Sequence, residues 1–111
     1  MWLLDVNLPN GLLRLLQSVG IACDTTVRRE WRELTNGELA VAALAAGFRV
    51  ILSRDRGFGA SAGTLLAQSP ELAIVIVTIP QAREAVYLEA FEARWRERAI
   101  VPVPGSVIQW P

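Results

Sequence analysis

The sequence predicts an α/β domain, a three-layer sandwich built on a central, mostly parallel sheet of about four or five strands. Short runs rich in Val, Ile and Leu alternate along the whole chain with longer segments of helical periodicity, the pattern of parallel strands joined by covering helices. Hydrophobic residues make up 52% of the chain and mean hydropathy is +0.33, far from the composition that keeps a chain disordered. The 111 residues suit one domain spanning 1–111, which at this size buries roughly 60–70% of its unfolded surface without staples.

The elements follow in order. Residues 2–6 read as a short apolar strand closed by Asn7-Leu8-Pro9, and Leu12, Leu13, Leu15, Leu16 and Val19 then recur at helical spacing up to Gly20. Residues 21–27 offer a second, more polar strand, followed by a charged loop from Arg28 to Glu33. A helix begins near Thr35 and runs through an alanine- and leucine-rich stretch to Gly47, a C′ glycine. Residues 49–53 make a strand ending in Arg54-Asp55, and a short helix is expected at about 60–68 among Gly57, Gly59 and Gly63. Residues 72–79 form a buried β-branched strand and 81–98 a long helix. Residues 107–110 complete the pattern as an edge strand behind Pro102, Pro104 and Gly105.

Two absences narrow the chemistry. The chain contains neither histidine nor lysine, so all 11 cationic side chains are arginines. Ser-His-Asp, Cys-His and Ser-Lys sites therefore lack their base, and a P-loop lacks its phosphate-reaching lysine. Net charge is zero, so any nucleic-acid contact must come from local arginine clusters. A single cysteine, Cys23, excludes an intramolecular disulfide and suits a reducing compartment. The first residues carry no positive segment of the signal type, and the 72–79 run is far short of the roughly 20 residues that cross a bilayer. A cytoplasmic protein with no membrane association is expected.

What remains is carboxylate and hydroxyl chemistry. Asp5 and Asp55 fall at the carboxyl ends of two predicted strands, and Glu38 falls at the start of a helix. Each also has a structural job open to it. Asp5 can serve a turn, Thr35-x-x-Glu38 is a capping box, and Asp55 can begin an Asx turn. Three acids brought together at one crevice of an open sheet would repel one another unless a cation compensates, and oxygen-only ligands favour Mg²⁺ or Mn²⁺. Arg28, Arg29 and Arg32 before Glu38, and Arg54 and Arg56 beside Asp55, are candidates for RNA phosphates. Their plainer role is in solvated loops, paired with Glu30 and Glu33. Gly57-Phe58-Gly59-Ala60-Ser61-Ala62 satisfies a G-x-G-x-x-A pattern, but positions 75–78 supply no acid for a ribose, so dinucleotide binding is not expected. Asp55 and Thr78 suit a phosphoacceptor receiver domain, which would need a further acidic pair and a lysine that are missing. Tyr87, Phe91 and Trp95, spaced by four, read most simply as a core-facing helix stripe, with a partner or dimer surface as the alternative.

Three ordered segments carry a family resemblance: Leu3-Leu4-Asp5-Val6-Asn7-Leu8-Pro9; Trp31 through Thr35-Asn36-Gly37-Glu38-Leu39; and Ala46-Gly47-Phe48-Arg49-Val50-Ile51-Leu52-Ser53-Arg54-Asp55-Arg56. Together they make the chain resemble the compact PIN-like domains related to VapC-type toxin ribonucleases, loosely through its carboxyl-terminal strands as well. The resemblance implies Mg²⁺- or Mn²⁺-dependent cleavage of RNA, with Asp5, Glu38 and Asp55 as metal-binding, catalytic acids and Asn7 and Ser53 as supporting polar groups. It also implies a toxin role with a cognate antitoxin protein. One departure is plain: Gly57 stands where many such nucleases carry a further acid. A catalytically weak or inactive scaffold that docks a partner protein is therefore the alternative, and a homodimer is compatible with either.

Overall fold

The computed structural model describes residues 1–58 and 60–111. Nine elements alternate strictly: β1 (Trp2–Leu4), α1 (Gly11–Ser18), β2 (Cys23–Thr25), α2 (Asn36–Ala45), β3 (Val50–Ser53), α3 (Arg56–Gln68), β4 (Ala73–Val77), α4 (Glu84–Glu97) and β5 (Val107–Trp110). The five strands form one sheet in the order β2-β1-β3-β4-β5, and every pairing is parallel. Strand β5 lies at an edge, where its preceding prolines require no ladder partner.

The central strands β3 and β4 are buried at every position because helices cover both faces. Alternation along β1 sends Leu4 to the side of α1 and α4, where it joins Leu12, Leu16, Tyr87 and Phe91. It sends Leu3 to the side of α2 and α3, with Leu39, Ala43, Phe58 and Ala62. The first core is closed by aromatic rings: Phe91 lies 4.7 Å from Trp110, and half-buried Trp95 packs on Trp2 at 6.1 Å. The α4 stripe of Tyr87, Phe91 and Trp95 therefore faces inward. The second core uses small residues that let helices sit close to the sheet.

Gly47 has φ +94° and ends α2, a left-handed position that favours glycine, whereas a Cβ on Gly11 would stand 2.6 Å from Leu88 Cδ1 and would need that side-chain end to shift where α1 meets α4. The largest departure from the sequence expectation is α3, which starts four residues earlier than 60. Asp55 supplies the reason: its carboxylate accepts from the Gly57 amide at 2.8 Å as N-cap, and buried Phe58 anchors the first turn. The glycine motif thus opens a helix. Among the described residues no helix is long and apolar enough to cross a membrane.

Candidate functional site

Going from β1 to β2 the chain moves toward one edge of the sheet, and from β3 to β5 toward the other, so strand order reverses between β1 and β3. In open α/β sheets that reversal opens a crevice beyond the carboxyl ends of the strands, where loops diverge. Asp5 directly follows β1 there, and Ser53 ends β3. The β1–β3 ladder carries on past Leu4, the Asp5 amide donating to the Leu52 carbonyl at 2.9 Å.

Ser53 is fully buried and is the hub of the crevice. Its hydroxyl donates to Asp5 Oδ2 at 2.8 Å and accepts from the Asp55 amide at 3.0 Å and from Asn7 Nδ2 at 3.2 Å. Asn7 Oδ1 accepts in turn from the Arg54 amide at 3.0 Å, clamping the β1–α1 loop to the β3–α3 loop. Asp5 Oδ1 accepts from the Val6 amide at 2.8 Å. Asp5, Asn7, Ser53 and Asp55 are thus one hydrogen-bonded array, brought together from positions nearly 50 residues apart.

Glu38 stands outside that array. Its Oε1 accepts from the Thr35 amide at 2.9 Å while Thr35 Oγ1 accepts from the Glu38 amide at 3.3 Å, a complete capping box. Those bonds from Thr35 hold its carboxyl below the usual glutamate range. Among the described residues no three Asp, Glu or Cys side chains gather closely enough to hold a metal ion. The donor chemistry nevertheless suits a hard cation: Asp5, Glu38 and Asp55 have no arginine partner among the described ion pairs, and Mg²⁺ is commonly held by one or two carboxylates together with water and substrate phosphate. The Ser53 hydroxyl bonds the Asp5 carboxylate and the Asp55 backbone amide, while the Asp55 carboxylate itself accepts from the Gly57 amide.

The arginines divide. Arg29 binds Asp24 Oδ2 at 2.7 Å and lies over Phe48 and Trp31, and Arg28 approaches the same carboxylate at 3.6 Å. Their partner is Asp24 and not Glu30 or Glu33. Partial burial works against the Asp24 charge, but the Arg29 hydrogen bond, the Thr25 amide and the two guanidinium charges outweigh it and hold that carboxyl below its usual range. Arg32 is exposed on the loop beside Glu30 and Glu33. Arg54 and Arg56 form no ion pair among the described residues, and Arg54 lies over the Tyr87 ring at 5.6 Å.

Sequence reasoning did not find Thr26 or Tyr87 as polar groups of this end of the molecule. Thr26 directly follows the Leu4–Thr25 pair at the end of β2, its amide donating to the Leu4 carbonyl at 3.0 Å. Its hydroxyl is buried without a partner among the described residues, as is that of Tyr87. Each such orphan costs about 1–3 kcal/mol in a protein interior. For Thr26 the signal was available, a polar residue at a strand end; the Tyr87 hydroxyl was hidden within an aromatic stripe. A cavity of about 570 Å³ is an apolar groove between α2 and α3, lined in part by Glu38. Chemistry, and not volume, places the site at the strand ends. Compared with known protein families, curated proteins and solved structures, the chain finds no match.

Proposed function

We propose that this α/β protein is a metal-dependent endoribonuclease, the toxin of a toxin–antitoxin pair acting in the cytoplasm on RNA phosphodiesters. The observation that carries the proposal is the Ser53 hydroxyl joining Asp5 to the Asp55 loop at the strand-order reversal, with neither carboxylate neutralised by an arginine. In this reading Asp5 and Asp55 hold Mg²⁺ or Mn²⁺, and Glu38 adds an oxygen from the α2 terminus. Bound there, the ion would lower the pKa of water and offset charge developing on the phosphodiester. The chain's own residues do the positioning. Ser53 fixes the Asp5 carboxylate, Asn7 fixes Ser53, and Arg54 and Arg56 neutralise RNA backbone phosphates beside the acids, with Arg28, Arg29 and Arg32 as more distant candidates. The toxin role and the antitoxin partner come from the resemblance to VapC-type nucleases alone.

The test is Mn²⁺ calorimetry on the wild type and on the Asp5→Asn/Asp55→Asn double variant, followed by an RNA-cleavage screen, with circular dichroism as the fold control. Binding and cleavage that both vanish in a folded double variant support the reading; cleavage that persists there rejects it. A second reading, a PIN-like scaffold that docks a partner protein, is favoured by Gly57 in place of a further acid and by the engagement of Glu38 in its own helix cap. A wild type that binds no Mn²⁺ and cleaves nothing would select it.

A further inference from the structure

A second cleft, about 200 Å³, opens between the β1–α1, β3–α3 and β4–α4 connections and is lined by Asn7, Arg54, Gln81, Glu84 and Tyr87. It abuts the carboxylate array through Asn7, whose amide nitrogen faces Ser53 and whose amide oxygen holds the Arg54 backbone. The volume lies below the roughly 300 Å³ at which pockets begin to enclose whole drug-sized ligands, so it suits one chemical group.

We propose that this cleft is a phosphate subsite in which Arg54, Gln81 and the Tyr87 hydroxyl receive a phosphate adjoining the nucleotide held at Asp5 and Asp55. The inference rests on reading the strand-end crevice as a nucleic-acid site. Three features carry it. First, the Tyr87 hydroxyl is buried and has no partner among the described residues, although buried hydroxyls are normally satisfied, which marks a missing acceptor. Second, Arg54 has no carboxylate partner among the described residues and rests on the Tyr87 ring, a placement it can exchange for a forked bond to an oxyanion. Third, the cleft lies beside the strand-order reversal, where such folds take ligands.

The one acid on the wall, Glu84, already accepts from the Gly11 amide at 3.1 Å at the start of α1, which occupies part of its charge. Guanidinium, phenol and amide N–H groups are all donors, and a phosphate has oxygens to accept from each. Burial pushes the Tyr87 phenol up, against the smaller downward pull of Arg54, so it remains an O–H donor at neutral pH.

The test uses the wild-type chain with chelator present, which silences any metal site, titrated by calorimetry with uridine 5′-monophosphate, inorganic phosphate and uridine. The monophosphate and phosphate are expected to bind, with uridine at least about tenfold weaker, since a charge-assisted hydrogen bond contributes at that scale. Tyr87→Phe is expected to weaken the monophosphate about tenfold while leaving the ligand-free melting temperature unchanged or higher, because the deleted hydroxyl has no partner among the described residues. Arg54→Gln weakens it further. Equal binding of uridine and its monophosphate, wild-type affinity in Tyr87→Phe, or a lower ligand-free melting temperature in that variant would overturn the subsite. Monophosphate binding as expected, in a protein that cleaves no RNA with Mn²⁺, keeps the subsite and removes the nuclease reading; RNA cleavage with an unchanged KM in Tyr87→Phe does the reverse.

Discussion

Asp5 and Glu38 are both carboxylates at the start of a connection or helix, yet a neighbouring strand holds one and its own helix holds the other. Asp5 Oδ2 takes its hydrogen bond from Ser53, 48 positions away, so its orientation depends on correct pairing of β1 with β3. Glu38 is fixed by Thr35, three residues before it, and would be held much the same way in any helix starting with that box. The long-range bond spends an unfolded-chain freedom on aiming an acid at a crevice, whereas the local bond starts a helix.

Asp5→Asn offers the largest effect on that contrast. It keeps the side chain's size and one acceptor, so the fold should survive with its circular dichroism unchanged, while Mn²⁺ affinity and RNA cleavage fall by at least about 100-fold, more than the usual loss for a supporting group. Glu38→Gln is its matched control. A loss as large as that of Asp5→Asn would place Glu38 at the metal, and a loss under about threefold would confine it to the cap.

Ser53→Ala comes next. It removes the donor to Asp5 Oδ2 and leaves the Asn7 amide and the Asp55 amide without their acceptor, so chemical denaturation should show a loss of about 1–3 kcal/mol. Metal affinity should drop about 10–100-fold alongside it, as for other groups that orient ligands. Full affinity in a destabilised variant would reduce Ser53 to a structural role. Thr35→Ala is expected to cost about 1 kcal/mol of stability through the α2 cap, shifting the melting temperature by several degrees with cleavage unaltered once the protein is folded.

The smallest effect is a pH dependence. Glu38 has a folded-state pKa below its unfolded value, so its cap stabilises the fold fully above the ordinary glutamate range and progressively less as pH falls through the depressed value. Melting curves of wild type and Glu38→Gln should therefore differ at neutral pH and converge in acid. A gap that widens on acidification would contradict the capping assignment.

The strand and helix order was legible because each element carries its own period: β-branched runs for β3 and β4, leucines at helical spacing for α1, and Thr35 with Gly47 bracketing α2. The start of α3 was not, because Gly57 argues against a helix locally and only the Asp55 cap and the burial of Phe58 override it. At the candidate site, Asp5 and Asp55 could be read from their place after apolar strands. The Asp24 partnership of Arg28 and Arg29 could not, since it depends on how the loop after β2 folds back. Nor does any sequence period reveal that a serine hydroxyl, and not a fourth carboxylate, ties the loops together.

That serine has one proton and two lone pairs, and all are in use: the proton toward Asp5, the lone pairs toward Asn7 and the Asp55 amide. A hydroxyl so saturated and so buried cannot trade its hydrogen with solvent until β1 and β3 part at their ends. The lifetime of that single hydrogen is then a clock for the opening of the crevice, set by the most accessible local unfolding of its rim where that opening costs less than unfolding the whole domain.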